Sequence, residues 1–571
     1  MATIIKKRKG GKDYYYIVES ARVNGKPRIV NQIYLGTLEK IKNTHEQGKN
    51  LRIEKVKTLD FGALWLANEI EKKLGIVDII DKTVGARKAQ GISLGEYFLY
   101  AAMNRMIDAT PKNSLPEWYR STAIQYIRPV SVNSLDFQAY WRVWEKISED
   151  QIKVIAKKLF DKVATLYPSD NGCFLFDTTN FYTFMGSKTK SDLAKRGKNK
   201  ESKDWLRQIG MAFLVSRNSR LPLFYREYEG NTHDSKVFRN VLDEVCAAMK
   251  QYGQNDMTVI FDKGMNSEEN IKHIDEVENI HFITTYSSSF STELVDKSQS
   301  YLKPLETEKN KLLLENNKID DIIKAWRTEG EYWGKLRTVV VTYNPRTASN
   351  QRYNFDRKLG LLQKKLFEII HDFNTLEKIS QTTAQSRYAK ECERLHLPEN
   401  LFNLEFEKTE NGNRMSFSIN DDQELKIINK MGINILITDH FDWTTEEIVE
   451  ASLDRYQVEE AFKQSKDPDL VSMSLIWNWT DPKIRCHFLT CIIALTYLRI
   501  IELELAKANC KMTAKKVMEN MVRLRTCLTY TNKNQKEEIG RFIEEPTEIQ
   551  AKILKIFGYQ ISSGVIQPAI A

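Results

Sequence analysis

The chain has 571 residues, which is more than one ordinary hydrophobic core covers and predicts two to four domains. Its composition, 42% hydrophobic and 28% charged, excludes a chain that is disordered throughout. The net charge of +9 is small for this length, and the longest apolar run, residues 488–498, is too short to cross a membrane. We therefore expect no membrane partner, and seven scattered cysteines without a CxxC pair indicate reduced thiols in a cytoplasm.

Residues 1–57 are predicted to form a small, basic, β-rich module. Runs rich in β-formers lie on either side of Asn24-Gly25, a pair that favours a tight β-hairpin turn. The first 30 residues hold eight Lys or Arg against two acids. Such a block is most often a solvated surface, but it can also bind a polyanion. The candidates for that contact are Lys6, Lys7, Arg8 and Lys9.

Residues 58–170 carry the periodicity of helices, for example in the stretches 61–80 and 139–167. They are predicted to form a helical module. The character of the sequence changes at Asn171-Gly172, where β-rich runs begin, so we expect this module to end there.

Residues 171–288 are predicted to be the first part of an α/β domain. Three strand-like runs, 173–184, 208–217 and 221–230, are followed by a helix, a strand, a helix and a strand. This order describes a mixed sheet with helices packed on it.

The rest of the chain is predicted to divide into three parts. Residues 289–425 are charged and helix-rich with short strand-like pieces, and we interpret them as a mixed helical and β insertion domain. Residues 426–483 resume the α/β domain with a strand and a charged helix. Residues 484–571 are predicted to be a C-terminal helical region and a candidate surface for dimerisation.

Two aspartates stand in or at the ends of these strands. Asp177 lies in "CFLFDTTNFYTF" and Asp262 ends the strand "MTVIF". Each alone is most often a turn-forming residue. Open α/β sheets place their ligands at the carboxyl ends of strands, and Mg²⁺ takes few carboxylates and completes its shell with water and phosphate. Together they favour a Mg²⁺ site.

A third carboxylate is expected from the charged helix at 453–468. On a helix, Arg455, Glu459 and Lys466 share one face. That face borders an apolar stripe made of Val458, Ala461, Phe462 and Ser465. Glu460 points further round, so Glu459 is the preferred ligand. Two Mg²⁺ ions about 4 Å apart would act on both the attacking and the leaving oxygen of a phosphodiester. The alternative is an exposed helix with ion pairs along its surface.

A second basic block follows the Asp177 strand directly. Residues 186–207 hold eight Lys or Arg and three acids. We expect Lys195, Arg196 and Lys198 to meet a polyanion close to the carboxylates. Each such block alone is most often a solvated loop, and the presence of two in one chain strengthens the polyanion interpretation.

The arrangement of these motifs resembles the DDE transposases of prokaryotic insertion sequences. In one subgroup the glutamate lies in a signature that reads Tyr, two residues, Arg, three, Glu, six, Lys. Arg455, Glu459 and Lys466 match its last three positions, whereas Ser452 stands at the tyrosine position. "FDTTNFYTF", "EGNTHDSKVF" and "FDKGMNSEEN" resemble the segments around the two aspartates. The resemblance covers about 171–500.

The resemblance implies a ribonuclease-H-like catalytic domain, interrupted by an insertion before the glutamate helix. Asp177, Asp262 and Glu459 would be the catalytic residues and hold two Mg²⁺ ions, for which Mn²⁺ is expected to be able to substitute. Partners would be DNA, both the element's terminal inverted repeats and the target, and a second copy of the chain. The basic residues named above, with Arg455 and Lys466, would bind DNA, as would the helical module 58–170.

The predicted function is therefore DNA nicking at element ends and strand transfer, in a prokaryotic cytoplasm at the nucleoid. A structure-specific nuclease of the same fold and a catalytically silent DNA-binding derivative are the alternatives. The large insertion and basic first module disfavour the nuclease, and the intact acidic triad disfavours the silent derivative. Without a GxGxxG or P-loop motif, the sequence supports no nucleotide cofactor.

Overall fold

A computed structural model describes most of the chain, residues 2–23, 26–49, 53–85, 91–168, 172–186, 188–197, 203–252, 256–287, 291–376, 379–409, 412–473, 476, 478–531 and 538–569. The fold is mixed α/β. The chain divides into two compact units. Unit 1 contains Met1–Asn68, Glu117–Pro129 and Glu504–Ala571, and unit 2 contains Glu69–Pro116 and Val130–Leu503.

The N-terminal segment forms a three-stranded antiparallel sheet. Its elements are β1 Ala2–Lys9, β2 Lys12–Val23 and β3 Lys26–Gly36, followed by α1 Leu38–Lys49 and the separate strand β4 Lys55–Asp60. The strand order is β1-β2-β3. The predicted hairpin is present as the antiparallel pair β2 and β3, and β1 adds a third strand. The predicted turn at Asn24-Gly25 lies outside the described residues.

The next segment is helical, as its periodicity predicts. Its helices are α2 Gly62–Leu74, α3 Ile76–Val84, α4 Leu94–Ile107, α5 Leu115–Ser121, α6 Ile124–Ile127, α7 Phe137–Trp144 and α8 Glu149–Leu166. Capping boxes begin two of them, Ser93 with Glu96 for α4 and Ser148 with Gln151 for α8. These side chains satisfy the backbone N–H groups that the first helical turn leaves unpaired.

A large mixed sheet dominates unit 2. Its first elements are β5 Cys173–Thr183, β6 Lys195–Arg196, β7 Arg207–Ser216, β8 Pro222–Glu229, α9 Asp234–Tyr252, β9 Met257–Phe261, α10 Glu268–Glu276 and β10 Ile280–Tyr286. β5, β9 and β10 run parallel, while β7 is antiparallel to both β5 and β8. β5 and β9 are buried for most of their length, as expected of parallel strands covered on both faces.

The predicted insertion forms two different structures. Its elements are α11 Thr292–Ser298, β11 Lys303–Pro304, α12 Glu308–Glu315, β12 Lys324–Tyr332, β13 Lys335–Tyr343, α13 Pro345–Leu376, α14 Gln381–Leu395, β14 Phe402–Thr409, β15 Gly412–Ile419 and α15 Asp421–Ile428. β11, β12 and β13 extend the central sheet. Helices α13 and α14 and the hairpin β14–β15 instead share a separate apolar core that includes Leu366, Tyr388 and Phe402.

The chain then returns to the sheet with β16 Ile433–Thr438, α16 Thr445–Leu453 and α17 Tyr456–Lys466. β16 is antiparallel to both β10 and β13 and joins the two halves of the sheet. The strand order through the sheet is β11-β12-β13-β16-β10-β9-β5-β7-β6, with β8 also paired to β7.

The C-terminal region is helical only in its first part. Its elements are α18 Asp481–Lys507, α19 Ala514–Val522, β17 Arg525–Tyr530, β18 Glu538–Ile543, α20 Glu548–Ile556, β19 Tyr559–Ser562 and β20 Val565–Pro568. The prediction of a helical region over 484–571 is wrong from Arg525 onward, where four strands and one helix follow. β17 pairs with β4, which lies more than 450 residues earlier in the chain, so no local pattern points to this partner.

Helix α18 is also less available for dimerisation than its apolar sequence suggests. Leu489, Ile492, Leu495 and Leu498 are completely buried within the single chain. Phe488 contacts Phe181 of β5, with ring centroids 5.4 Å apart. The apolar surface of α18 therefore belongs to the core of unit 2. Within the described residues, no helix is both long and apolar enough to cross a membrane.

Candidate active site

Asp177 lies within β5, and Asp262 directly follows β9, the parallel neighbour of β5. In the pairing of β5 with β9, Cys173 lies opposite Thr258 and Leu175 opposite Ile260. Asp177 and Asp262 each lie two residues beyond the last of these pairs, with the same offset of 85 residues. Residues at corresponding positions of adjacent strands point to the same face of a sheet. Continuing this register by two residues would place both carboxylates on one face.

Both aspartates line one open cavity of about 630 Å³ in unit 2. The other lining residues come from β5, from the loop before α9, from the turn after β9 and from α17. They are Thr178, Thr179, Asn180, Tyr182, Gly230, Asn231, Thr232, His233, Asp234, Gly264, Met265 and Lys466. The lining combines three carboxylates with a lysine, which suits a polar, charged ligand.

Asp262 is half-buried and held in its charged form. Burial opposes ionisation of this carboxyl group, but nearby donors outweigh it. Arg455 Nη1 lies 3.5 Å from one carboxylate oxygen, and the Thr285 hydroxyl and Lys263 N–H each donate to the other at 2.8 Å. Together they lower the pKa of Asp262 below its ordinary value.

Glu459 lies in the first turn of α17, outside the group of residues that line the cavity. The charged helix predicted at 453–468 is broken, because α16 ends at Leu453 and α17 begins at Tyr456. Arg455 stands between them and lies 3.7 Å from Glu459 through Nη2, so one guanidinium contacts both Glu459 and Asp262. The Glu459 side chain is 58% exposed, whereas Glu460 is 43% exposed and lies 4.0 Å from Lys463.

The predicted apolar stripe of α17 packs onto the sheet. Val458, Ala461, Phe462 and Ser465 are all buried. The ring of Phe462 lies 5.7 Å from that of Phe213 on β7. This packing sets the rotation of α17 and leaves Glu459 at the solvent-facing border of the stripe.

Lys466, at the end of α17, reaches back to the cavity. Its amine donates a hydrogen bond to the Thr179 hydroxyl at 2.8 Å and lies 5.3 Å from the centre of the Phe181 ring. The two cations predicted beside Glu459 thus lie at the same edge of the sheet. Arg455 contacts Asp262, and Lys466 contacts Thr179 of β5.

The carboxylates of the cavity meet some of the requirements of a hard divalent cation. Within the parts of the chain that the structure describes, no three His, Cys, Asp or Glu side chains are grouped so that they could hold a metal ion together. Mg²⁺, however, is commonly held by one or two carboxylates, with water and phosphate oxygens completing its shell. Asp177 and Asp262, which line one open cavity, would supply such carboxylates.

The described residues of the basic block, 186, 188–197 and 203–207, lie on the strand edge near this cavity. Lys195 and Arg196 form β6, which pairs with Gln208 and Arg207 of β7. Gly197, the next residue, packs against Asn231 and Gly230, two residues of the cavity wall. Lys195 forms a 3.4 Å ion pair with Asp192. Lys198 lies outside the described residues.

The four N-terminal basic residues lie on β1, in unit 1. Lys6 and Arg8 share Asp13, at 3.2 and 3.9 Å. Lys7 donates to Gln32 at 3.2 Å and lies 5.0 Å from the centre of the Tyr16 ring. Lys9 is exposed beside Lys12. This alternation puts Lys7 and Lys9 on one face of the sheet and Lys6 and Arg8 on the other.

Asp234 is not among the carboxylates that the sequence predicts as metal ligands. The stretch 227–234, "EYEGNTHD", has the pattern of a turn that begins a helix, although its residues could also contact the reacting DNA, and Asp234 is the first residue of α9. The structure also places its carboxylate in the wall of the cavity, where it accepts a 2.9 Å hydrogen bond from the Thr178 hydroxyl. The motif resemblance marked this segment, but only the fold shows which of its side chains faces the aspartates.

Comparison with known proteins supports one family. Residues 169–474, more than half of the chain, match the sequence model of a family described as transposase DDE domain. A solved structure of the piggyBac transposase, described as a synaptic complex with hairpin DNA, is similar at 10% identity with a TM-score of 0.39, over 82% of each chain. No curated protein sequence gives a significant match.

Proposed function

Because the chain belongs to the transposase DDE-domain family, we propose that it is the DNA transposase of an insertion sequence. It hydrolyses a phosphodiester at the element ends and transfers the freed 3′-hydroxyls into target DNA. Its partners are the terminal inverted repeats of the element and the target duplex. The observation that carries this proposal is that Asp177 and Asp262 line one open cavity.

The catalytic domain is proposed to be ribonuclease-H-like. In support, the strand order β8-β7-β5-β9-β10 puts the two aspartate strands next to each other in the middle of the sheet. Helix α17 packs over β5 and β7 through its buried stripe, which brings the Glu459 segment to the same edge.

Asp177, Asp262 and Glu459 are the proposed ligands of two Mg²⁺ ions, and Mn²⁺ is expected to substitute. When bound, such ions supply electrostatic stabilisation to the attacking and leaving oxygens of an in-line displacement at phosphorus. The lowered pKa of Asp262 keeps this carboxylate charged and ready for a cation at neutral pH.

Arg455 and Lys466, the two cations of the site, are proposed to bind DNA. Arg455 lies between Asp262 and Glu459, and Lys466 lies over β5 at the cavity. Both present N–H donors where a DNA phosphate would approach the carboxylates. Without them, the negative charges of the site would repel the backbone that they must cleave. Lys195 and Arg196 extend this positive surface along β6, and β1 and the helical module are the proposed DNA contacts of the N-terminal half.

The test is an assay with a donor DNA that carries both ends of the element. We expect the wild-type chain with Mg²⁺ to give joined products, and Asp177→Asn and Asp262→Asn to lose cleavage by on the order of 10³-fold or more while still binding DNA. Asp243→Asn is the matched control, since Asp243 is an exposed acid on α9 that pairs with His273. Cut products without joining would indicate a nuclease, and binding without cutting would indicate a silent derivative.

A further inference from the structure

The strand β5 carries a hydrogen-bonded threonine immediately after its aspartate. The Thr178 N–H donates to Asp177 Oδ1 at 2.8 Å. The Thr178 hydroxyl donates to Asp234 Oδ1 at 2.9 Å. One residue therefore contacts Asp177 with its backbone and Asp234 with its side chain. A bond that holds the Thr178 side chain therefore also helps to hold this residue's N–H group, which donates to the Asp177 carboxylate.

Tyr228 reaches the same hydroxyl from two strands away. Tyr228 on β8 lies opposite Gly210 on β7, and Gly210 lies opposite Asn180 on β5. A Cβ on Gly210 would lie 2.1 Å from the Tyr228 ring, so the ring crosses β7 only because this position has no side chain. This path brings the Tyr228 side chain to Thr178. Because the Thr178 hydroxyl donates its proton to Asp234, only the tyrosine could donate in a hydrogen bond between the two hydroxyls.

The charge environment of Tyr228 agrees with this placement. Burial raises the pKa of Tyr228, and the carboxylates of Asp234 and Asp177 raise it further. The phenol therefore keeps its proton, which is what a donor to Thr178 requires.

Asp234 also lies beside the second aspartate strand. A Cβ on Gly264, two residues after Asp262, would lie 3.7 Å from Asp234 Oδ2. The Asp234 carboxylate is therefore located between the chain that follows Asp177 and the turn that follows Asp262. Because α9 begins at Asp234, the helix anchors this carboxylate to the body of unit 2.

We propose that Tyr228, Thr178 and Asp234 form a hydrogen-bonded relay that positions Asp177, and that Gly210 is required because it lets the tyrosine cross the sheet. Asp234 is in this view a positioning residue that acts through Thr178. The inference rests on the proposed function, because it assigns Asp177 to a metal-binding and DNA-cleaving site. Residues that form hydrogen bonds to a metal ligand and so orient it typically contribute about 10–100-fold to metal affinity or activity.

Two measurements on the full-length chain test the relay. Mn²⁺ binding is measured from the electron paramagnetic resonance signal of the free ion, which needs no DNA. The turnover number and KM for nicking are measured on a supercoiled plasmid that carries the gene with its flanking DNA. Thermal unfolding and DNA affinity are recorded for every variant, so that a folding defect is seen directly.

We expect Thr178→Val and Asp234→Ala to raise the Kd for Mn²⁺ about 10–100-fold and to lower the turnover number with little change in KM. Tyr228→Phe, which keeps the ring, should have a smaller effect of the same kind. Thr178→Ser and Asp234→Asn keep a hydroxyl and an acceptor oxygen, respectively, and should stay within about 3-fold of wild type. The double variant Thr178→Val with Asp234→Ala should be no worse than either single variant, because both remove the same bond.

Matched controls come from the same elements. Tyr225→Phe removes a buried hydroxyl from β8 that lines a different cavity, and Asp243→Ala removes an exposed acid from α9. Both should behave as wild type.

Wild-type Mn²⁺ binding and turnover in Thr178→Val and Asp234→Ala would overturn the relay. So would an Asp234→Asn variant as impaired as Asp234→Ala beside an unimpaired Thr178→Val, since the charge of Asp234 would then act directly. A wild-type chain that neither binds Mn²⁺ nor nicks the plasmid would refute the proposed function, and the relay with it.

Discussion

At the scale of the residue, two adjacent acids on α17 differ in what they contact rather than in how exposed they are. Glu459 shares Arg455 with Asp262, whereas Glu460 has only the distant Lys463 among the ion pairs of the described residues. We expect Glu459→Gln to lower DNA cleavage by on the order of 10³-fold or more, because it removes a charge proposed to hold the second ion. DNA binding should survive, since a carboxylate repels phosphates. Single-turnover cleavage of end DNA measures the loss.

Glu460→Gln is the control for this change, because it makes the same substitution one position along the helix. It should cleave at close to the wild-type rate. The reverse pattern, with Glu460→Gln inactive and Glu459→Gln active, would mean that the rotation of α17 differs from the one that its buried stripe defines by about 100°.

At the scale of the element, β1 separates its basic residues by face. Lys6 and Arg8 lie against Asp13, and this contact raises the pKa of Lys6, whereas Lys7 and Lys9 occupy the opposite face with Tyr16. Each Lys or Arg that binds a phosphate makes affinity fall more steeply with salt, by a slope of about 0.9 in the logarithmic plot. The double variant Lys7→Ala with Lys9→Ala should therefore flatten the salt dependence of DNA binding by about 1–2 in slope.

The double variant Lys6→Ala with Arg8→Ala is the matched comparison on the same strand. It should flatten the slope less, because Asp13 already neutralises part of this face. Fluorescence anisotropy at a series of salt concentrations gives both slopes. If all four residues are replaced by alanine and the slope does not change, β1 makes no contact with DNA.

At the scale of the whole molecule, joining two ends requires that both be held in one assembly. We expect the complex with paired end DNA and Mg²⁺ to contain at least two copies of the chain, as measured by light scattering. α18 is not the expected interface, because its apolar side chains are already buried in the core. Leu489→Ala should lower the free energy of unfolding by about 2–5 kcal/mol and leave the mass of the assembly unchanged.

A single copy of the chain on paired ends would contradict this expectation. Loss of the assembly in Leu489→Ala, with unchanged unfolding, would instead return α18 to the role of an interface.

Much of the site follows from local sequence. The apolar runs before Asp177 and Asp262 predict strands, since continuous apolar residues are what a sheet covered on both faces requires. The spacing of Val458, Ala461, Phe462 and Ser465 predicts the buried face of α17, because residues three and four apart share one side of a helix. Each of these patterns lies within a dozen residues and needs no knowledge of the partner.

The tertiary structure decided everything that depends on a distant partner. A strand pattern does not name the strand that it pairs with, so the joining of β4 to β17 and of β13 to β16 could not be deduced from the sequence. The break between α16 and α17 leaves Arg455 between the two helices, with its guanidinium beside Asp262, a residue almost 200 positions earlier in the chain. Asp234 has the local pattern of a helix start, and only the tertiary structure brings it to Thr178, the residue that follows Asp177. Pairing over long distances is set by the packing of the whole chain, because hydrogen bonds between strands are the same for every sequence.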